Sequence, residues 1–71
     1  MQSSTLHGKT SWPELVGKKG EAAMASIKSE NPNLNAFTIK EGTPVTRDYR
    51  VDRVRVWVDD SDLVTRVPTV G

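Results

Sequence analysis

The clearest hydrophobic pattern in the chain is Val54-Arg55-Val56-Trp57-Val58. A period of two places Val54, Val56 and Val58 on one face of a strand, with Arg55 and Trp57 on the other. A weaker alternation from Leu34 to Ile39 contains Phe37, Thr38 and Ile39 and predicts another strand. From Glu21 to Glu30 the period changes. Ala22, Ala23, Met24 and Ala25 favour helix, and Ala23 and Ile27 have the i, i+4 spacing of a narrow apolar face. Glu21 suits the first turn of this helix and Lys28 the last. Asn31-Pro32 ends it, because a residue before proline is pushed out of the α region.

The flanks are more local in character. Ser11-Trp12-Pro13-Glu14 fits a Ser-x-x-Glu capping box with Pro in the first turn. It predicts one tight helical turn that carries Trp12, Leu15 and Val16 inward before Gly17 stops it. Asp59-Asp60-Ser61-Asp62 is turn chemistry, and a short third strand is predicted from Leu63 to Val67, stopping at Pro68. Residues 1–10 are polar and are predicted to form a frayed arm. The resulting class is α+β, with one α-helix packed on a small mixed β-sheet. Gly42 to Asp52 has turn-formers near its start (Gly42 and Pro44) and no helical pattern. A loop of this length in so small a chain is more often functional than incidental.

Size narrows the possibilities. The chain has 71 residues, 35% of them hydrophobic, and no cysteine. Such a length forms one domain, taken as 1–71, and buries only roughly 60% of its unfolded surface. One core of that size leaves no space for a buried cofactor and a substrate pocket together. No cofactor and no enzymatic activity are therefore expected. Without cysteine, neither a disulfide framework nor a thiolate metal site can staple the fold. A net charge of +1 gives no reason to expect nucleic acid or an anionic membrane as partner. The most apolar run, Val54 to Val58, is far too short to cross a bilayer. The opening residues lack an apolar h-region, so no signal peptide is expected in this chain. The sequence assigns no compartment.

Several chemical motifs can be tested and set aside. His7 is the only histidine and has no nucleophile elbow near it, so a Ser-His-Asp arrangement is not expected. Asp59, Asp60 and Asp62 open like a calcium loop but lack its Gly at position six and its Glu at twelve. No metal site is expected. Gly17-x-x-Gly20 alone carries no phosphate-binding signal. Arg47, Arg50, Arg53 and Arg55, with Tyr49 and Trp57 nearby, have the composition of a nucleic-acid patch. Asp48 and Asp52 interleave with them, however. The alternative is that arginine and aspartate bond to each other and hold the loop.

Four segments together carry a family resemblance: Trp12-Pro13-Glu14-Leu15-Val16-Gly17; Glu41-Gly42-Thr43-Pro44-Val45-Thr46-Arg47-Asp48-Tyr49-Arg50; Asp52-Arg53-Val54-Arg55-Val56-Trp57-Val58-Asp59; and Val67-Pro68-Thr69-Val70-Gly71. In this order and spacing, the chain resembles the potato inhibitor I family of serine-protease inhibitors over residues 7–71. The resemblance implies a long exposed loop, residues 42–52, offered to a protease as a substrate-like segment. It places the reactive-site bond at Arg47-Asp48, with Arg47 as P1. Thr46, Val45 and Pro44 are then P2 to P4, and Asp48, Tyr49 and Arg50 are P1′ to P3′, with Thr43 also in the contacting segment. It further implies that Arg53 and Arg55 brace the loop through Thr46 and Asp48, and that the carboxylate of Gly71 lies near them. Arginine at P1 suits a trypsin-like serine protease, so that partner is expected, bound by a monomer.

The resemblance has two departures. Many plant members join the N-terminal region to the trailing flank of the loop by a disulfide, and here the corresponding positions are Leu6 and Val51. Where relatives often place larger aliphatics, this chain has Gly20, Ser26, Ala36 and Thr38, which predicts a lighter core and modest stability. The alternative function is a non-inhibitory or engineered scaffold of the same fold. It would be cleaved as a substrate or serve as a binding module.

Overall fold

The computed structural model of the protein describes residues 9–71. His7, Leu6 and most of the predicted frayed arm lie outside the described residues. The elements run from a 3-10 turn (Pro13–Leu15) to α1 (Gly20–Glu30), β1 (Asn35–Lys40), β2 (Arg53–Val58) and β3 (Thr69–Val70). The sheet order is β1-β2-β3. β1 and β2 are parallel, from Asn35 opposite Arg53 to Lys40 opposite Val58, whereas β2 and β3 are antiparallel. One helix on a small mixed sheet is the architecture expected from the pattern.

The alternation in β2 sorts its side chains as predicted. Val54, Val56 and Val58 are buried, and Arg53, Arg55 and Trp57 stand half-buried on the opposite face. α1 covers the valine face with Gly20, Ala23 and Ile27. Around this contact Trp12, Leu15, Leu34, Ala36 and Val64 complete the core. The smallest of these residues sets how closely the layers approach. A Cβ on Gly20 would lie 2.8 Å from Thr38 Cγ2 and 2.9 Å from Val58 Cγ1. The helix therefore begins in contact with the sheet.

Three local expectations give way to tertiary contacts. Ser11 does not cap the 3-10 turn: Trp12 occupies that position with no side-chain cap bond. Ser11 instead pairs in antiparallel fashion with Thr69, and Glu14 turns to Lys9 at 2.6 Å. Trp12 and Leu15 do point inward, with the Trp12 indole N–H donating to Glu30 at 3.0 Å, but Val16 is exposed. The predicted strand from Leu63 to Val67 is absent as a ladder. Leu63 and Val64 make only isolated bridges, to Lys19 and Val58. The segment's pairing with the end of β2 is limited to Asp59 N–H to Leu63 O at 3.0 Å and Thr65 N–H to Trp57 O at 2.9 Å. On its other side Val64 N–H donates to Lys18 O and the Val64 carbonyl accepts from Gly17 N–H. The third strand forms beyond Pro68, where Thr69 and Val70 lie against Arg55 and Val54. The helix and first strand differ from prediction by a residue at some ends, a normal scatter for element boundaries.

The parallel pairing dictates the connection. Parallel neighbours require a crossover, and most chains use a helix for it. Here β1 finishes at one end of the ladder and β2 begins at the opposite end. The connecting segment, residues 41–52, must travel back along six strand residues, or roughly 20 Å at the usual strand rise. Having no helical signal, it does so as an extended loop.

Candidate functional site

Every residue from Gly42 to Asp52 is exposed, so the loop stands off the body of the protein. Arg53 and Arg55 project from the β2 face opposite the buried valines, two residues apart and therefore on one side. Arg55 Nη2 donates to the Thr46 carbonyl at 3.1 Å and to the Thr46 hydroxyl oxygen at 3.3 Å. Arg53 Nη2 donates to the Asp48 carbonyl at 2.6 Å, and its Nη1 lies 3.5 Å from the Asp48 carboxylate. Its remaining Nε donates to Gly71 O at 2.8 Å, while Gly71 N–H returns a bond to Arg53 O at 2.8 Å. The guanidinium thus uses its planar fork to join three chain segments, which a lysine cannot do. The Arg53 side chain is only 13% exposed, so these bonds are shielded more than those of a free surface pair.

The segment between the two braces is Thr46-Arg47-Asp48. The Thr46 hydroxyl, followed by the charges of Arg53 and Arg55, holds the Asp48 carboxyl below its ordinary range. Arg55 thus holds Thr46 and Arg53 holds Asp48, one on each side of Arg47. Among the described residues, no ion pair or hydrogen bond occupies the Arg47 side chain. Tyr49 is 69% exposed, and a Cβ on Gly71 would lie 3.4 Å from its ring. Arg50 pairs with Asp52 at 3.5 Å. Two of the four arginines in this stretch are thus bonded to its two aspartates, Arg50 to Asp52 and Arg53 to Asp48, the arrangement weighed above against a nucleic-acid patch.

The leading limb of the loop has an attachment that the sequence reading missed. Glu41 accepts two bonds from Arg66, each at 2.8 Å, and another from the Thr65 hydroxyl. The Arg66 guanidinium carbon sits 4.3 Å from the centre of the Trp57 ring. The bond from Arg66, then that from Thr65, holds the Glu41 carboxyl below its ordinary range. No local periodicity links Glu41 to Arg66, so only the folded chain reveals the pair. The described residues contain no cavity and no cluster of metal-ligating side chains. The candidate site is a protruding, braced strand, suited to insertion into another protein's cleft.

The model of the potato inhibitor I family matches residues 3–71. A protein from Momordica charantia named Glu S.griseus protease inhibitor is 52% identical, over 96% of this chain and 100% of its own. The inhibitor of trypsin and hageman factor from Cucurbita maxima is 50% identical over the same shares. The crystal structure of bitter gourd trypsin inhibitor superposes with a TM-score of 0.87 at 55% identity, covering 90% of this chain and 94% of that one. These are names of inhibitors, and none describes an enzyme. With a family match over nearly its whole length and relatives at half identity, the chain belongs to the potato inhibitor I family of protease inhibitors.

Proposed function

We propose that the chain inhibits trypsin-like serine proteases by presenting Thr43, Pro44, Val45, Thr46, Arg47, Asp48, Tyr49 and Arg50 as a substrate-like strand. Arg47 is P1 and Arg47-Asp48 the reactive bond, in a single inhibitor domain acting as a monomer. The observation that carries this reading is the pair of braces from Arg53 and Arg55, which hold the backbone on either side of Arg47-Asp48. Trypsin-type S1 pockets have an aspartate at their floor, which suits the Arg47 guanidinium. A loop already held in its bound shape loses less freedom on docking, so its contacts convert more fully into affinity. The same braces slow net hydrolysis. After acylation, Asp48 carries the new amine and remains bonded to Arg53, close to the acyl carbon, so resynthesis competes with water.

A stoichiometric titration of trypsin, followed by mass spectrometry, tests this. The expected result is tight inhibition with reversible cleavage between Arg47 and Asp48. Arg47→Ala removes most of the affinity, and Arg47→Leu shifts preference towards chymotrypsin or subtilisin. Equal trypsin inhibition by Arg47→Ala would rule out the P1 assignment. If the protein is cut and enzyme activity returns, it is a substrate or a binding scaffold of the same fold, and the inhibitory reading fails.

A further inference from the structure

The braces from β2 act on Thr46 and Asp48, at the middle of the loop. They leave open how the leading limb, Gly42 to Val45, is held. Gly42 has φ +89, a conformation that glycine adopts at little cost and that makes it a natural pivot. On the body side of that pivot Glu41 N–H donates to Val58 O at 2.9 Å, and across it Thr43 N–H donates to Lys40 O at 3.1 Å, closing a turn that a side-chain clamp on Glu41 can hold to the sheet. The Glu41 carboxylate is gripped by both arms of Arg66 and by the Thr65 hydroxyl. Arg66 in turn lies on Trp57, and Thr65 N–H donates to Trp57 O at 2.9 Å. Trp57 faces the same side of β2 as Arg53 and Arg55. The three residues form a row on β2, with the third reaching the loop through Arg66 rather than directly.

We infer that Glu41 and Arg66, stacked on Trp57, are positioning residues that fix the loop at its Gly42 pivot and thereby set its resistance to cleavage. This inference rests on the inhibitory reading above for its consequence, though not for its physical content. Among the described residues, the hydrogen bonds of the Arg66 side chain go to Glu41, outside the segment offered to the protease. The effect of Arg66 is therefore on how long the loop holds its shape rather than on which side chain is recognised. A bidentate arginine–carboxylate pair is geometrically selective, and a lysine at 66 would lose both the fork and the stacking.

The test compares the parent with Glu41→Gln, Arg66→Ala and Arg66→Lys. Backbone amide order parameters are measured by NMR at Val45 and Thr46 in the loop, and at Val54 and Val56 in the sheet. In Glu41→Gln and Arg66→Ala the loop values fall from rigid-backbone levels of about 0.85 towards 0.6, while the sheet values hold. Arg66→Lys falls part of the way. Trypsin cuts Arg47-Asp48 about five-fold faster in Arg66→Ala, the scale expected for one exposed but well-formed pair. Combining Glu41→Gln with Arg66→Ala adds little, since either change removes the same contact. Unchanged loop values in both single variants overturn the inference, and so does loosening of the sheet as large as that of the loop. If the loop loosens as stated but the parent fails to inhibit trypsin, the clamp stands and the inhibitory reading falls.

Discussion

Gly20 offers a direct measure of how closely the helix is pressed onto the sheet that holds the loop. Replacing it by alanine has two opposing effects. Within a helix the change gains up to about 1 kcal/mol of propensity, and less at Gly20, which is the first helical residue. Against this, the new Cβ would lie 2.8 Å from Thr38 Cγ2, 2.9 Å from Val58 Cγ1 and 3.3 Å from Asp62 Oδ1. Thr38 and Val58 are β-branched, so neither methyl can swing aside without leaving its preferred rotamer. Overpacking of this kind costs typically about 1–3 kcal/mol. The net expectation for Gly20→Ala is a loss of about 1–2 kcal/mol, against a gain on propensity alone. For a domain of this size each kcal/mol moves Tm by roughly 4–8 °C. Thermal unfolding followed by the fluorescence of buried Trp12 measures the shift. Adding Thr38→Ser deletes one of the two crowding methyls and should recover part of the loss. A Gly20→Ala protein that melts at or above the parent refutes the close approach.

Other outcomes follow from the same geometry. Val56 is fully buried beneath the helix, so Val56→Ala should cost about 2 kcal/mol or more, read as a lowered midpoint in urea with unchanged slope. Arg53→Lys keeps the charge but reaches only one of its three acceptors, so trypsin affinity should fall by about ten-fold or more; an unchanged inhibition constant would remove Arg53 from the brace. The Asp48 carboxyl is held below its ordinary range by the Thr46 hydroxyl first, and then by Arg53 and Arg55. Its contribution is therefore complete above the unfolded-state value and is lost as pH falls through the lower folded-state value. An NMR titration should show Asp48 protonating below the usual aspartate range of about 3.9, with Thr46 amide shifts following the same curve. In Thr46→Val the Asp48 midpoint should move upward, and a midpoint that stays put would separate the two groups.

The parts of this fold that sequence makes legible are those decided by local chemistry. Val54, Val56 and Val58 declare a strand face because burial follows the pleat, and Asn31-Pro32 ends the helix by steric exclusion. The loop is recognisable by its lack of period. What stayed hidden was decided between distant segments. Ser11 has every local feature of a helix cap, yet an isolated bridge to Thr69 draws it away from that role. Thr69 and Val70 are too few to show an alternation, and they follow a proline that reads as a stop. Only family resemblance points to partners for Arg53 and Arg55, because by sequence alone those residues are also ordinary exposed strand positions. Glu41 and Arg66 had no such guide. They meet only because the chain after β2 folds back across Trp57.

The parallel pairing of β1 with β2 has a consequence for the molecule once its loop is cut. A break anywhere between Lys40 and Arg53 leaves α1 and β1 on one chain, and β2 and β3 on the other. The whole β1–β2 ladder and the contact of Ala23 and Ile27 with the β2 valines then hold two polypeptides together instead of one. Folding becomes an association reaction, and stability becomes a matter of mass action. Diluting the cut protein should lower its melting temperature, whereas diluting the intact protein should not.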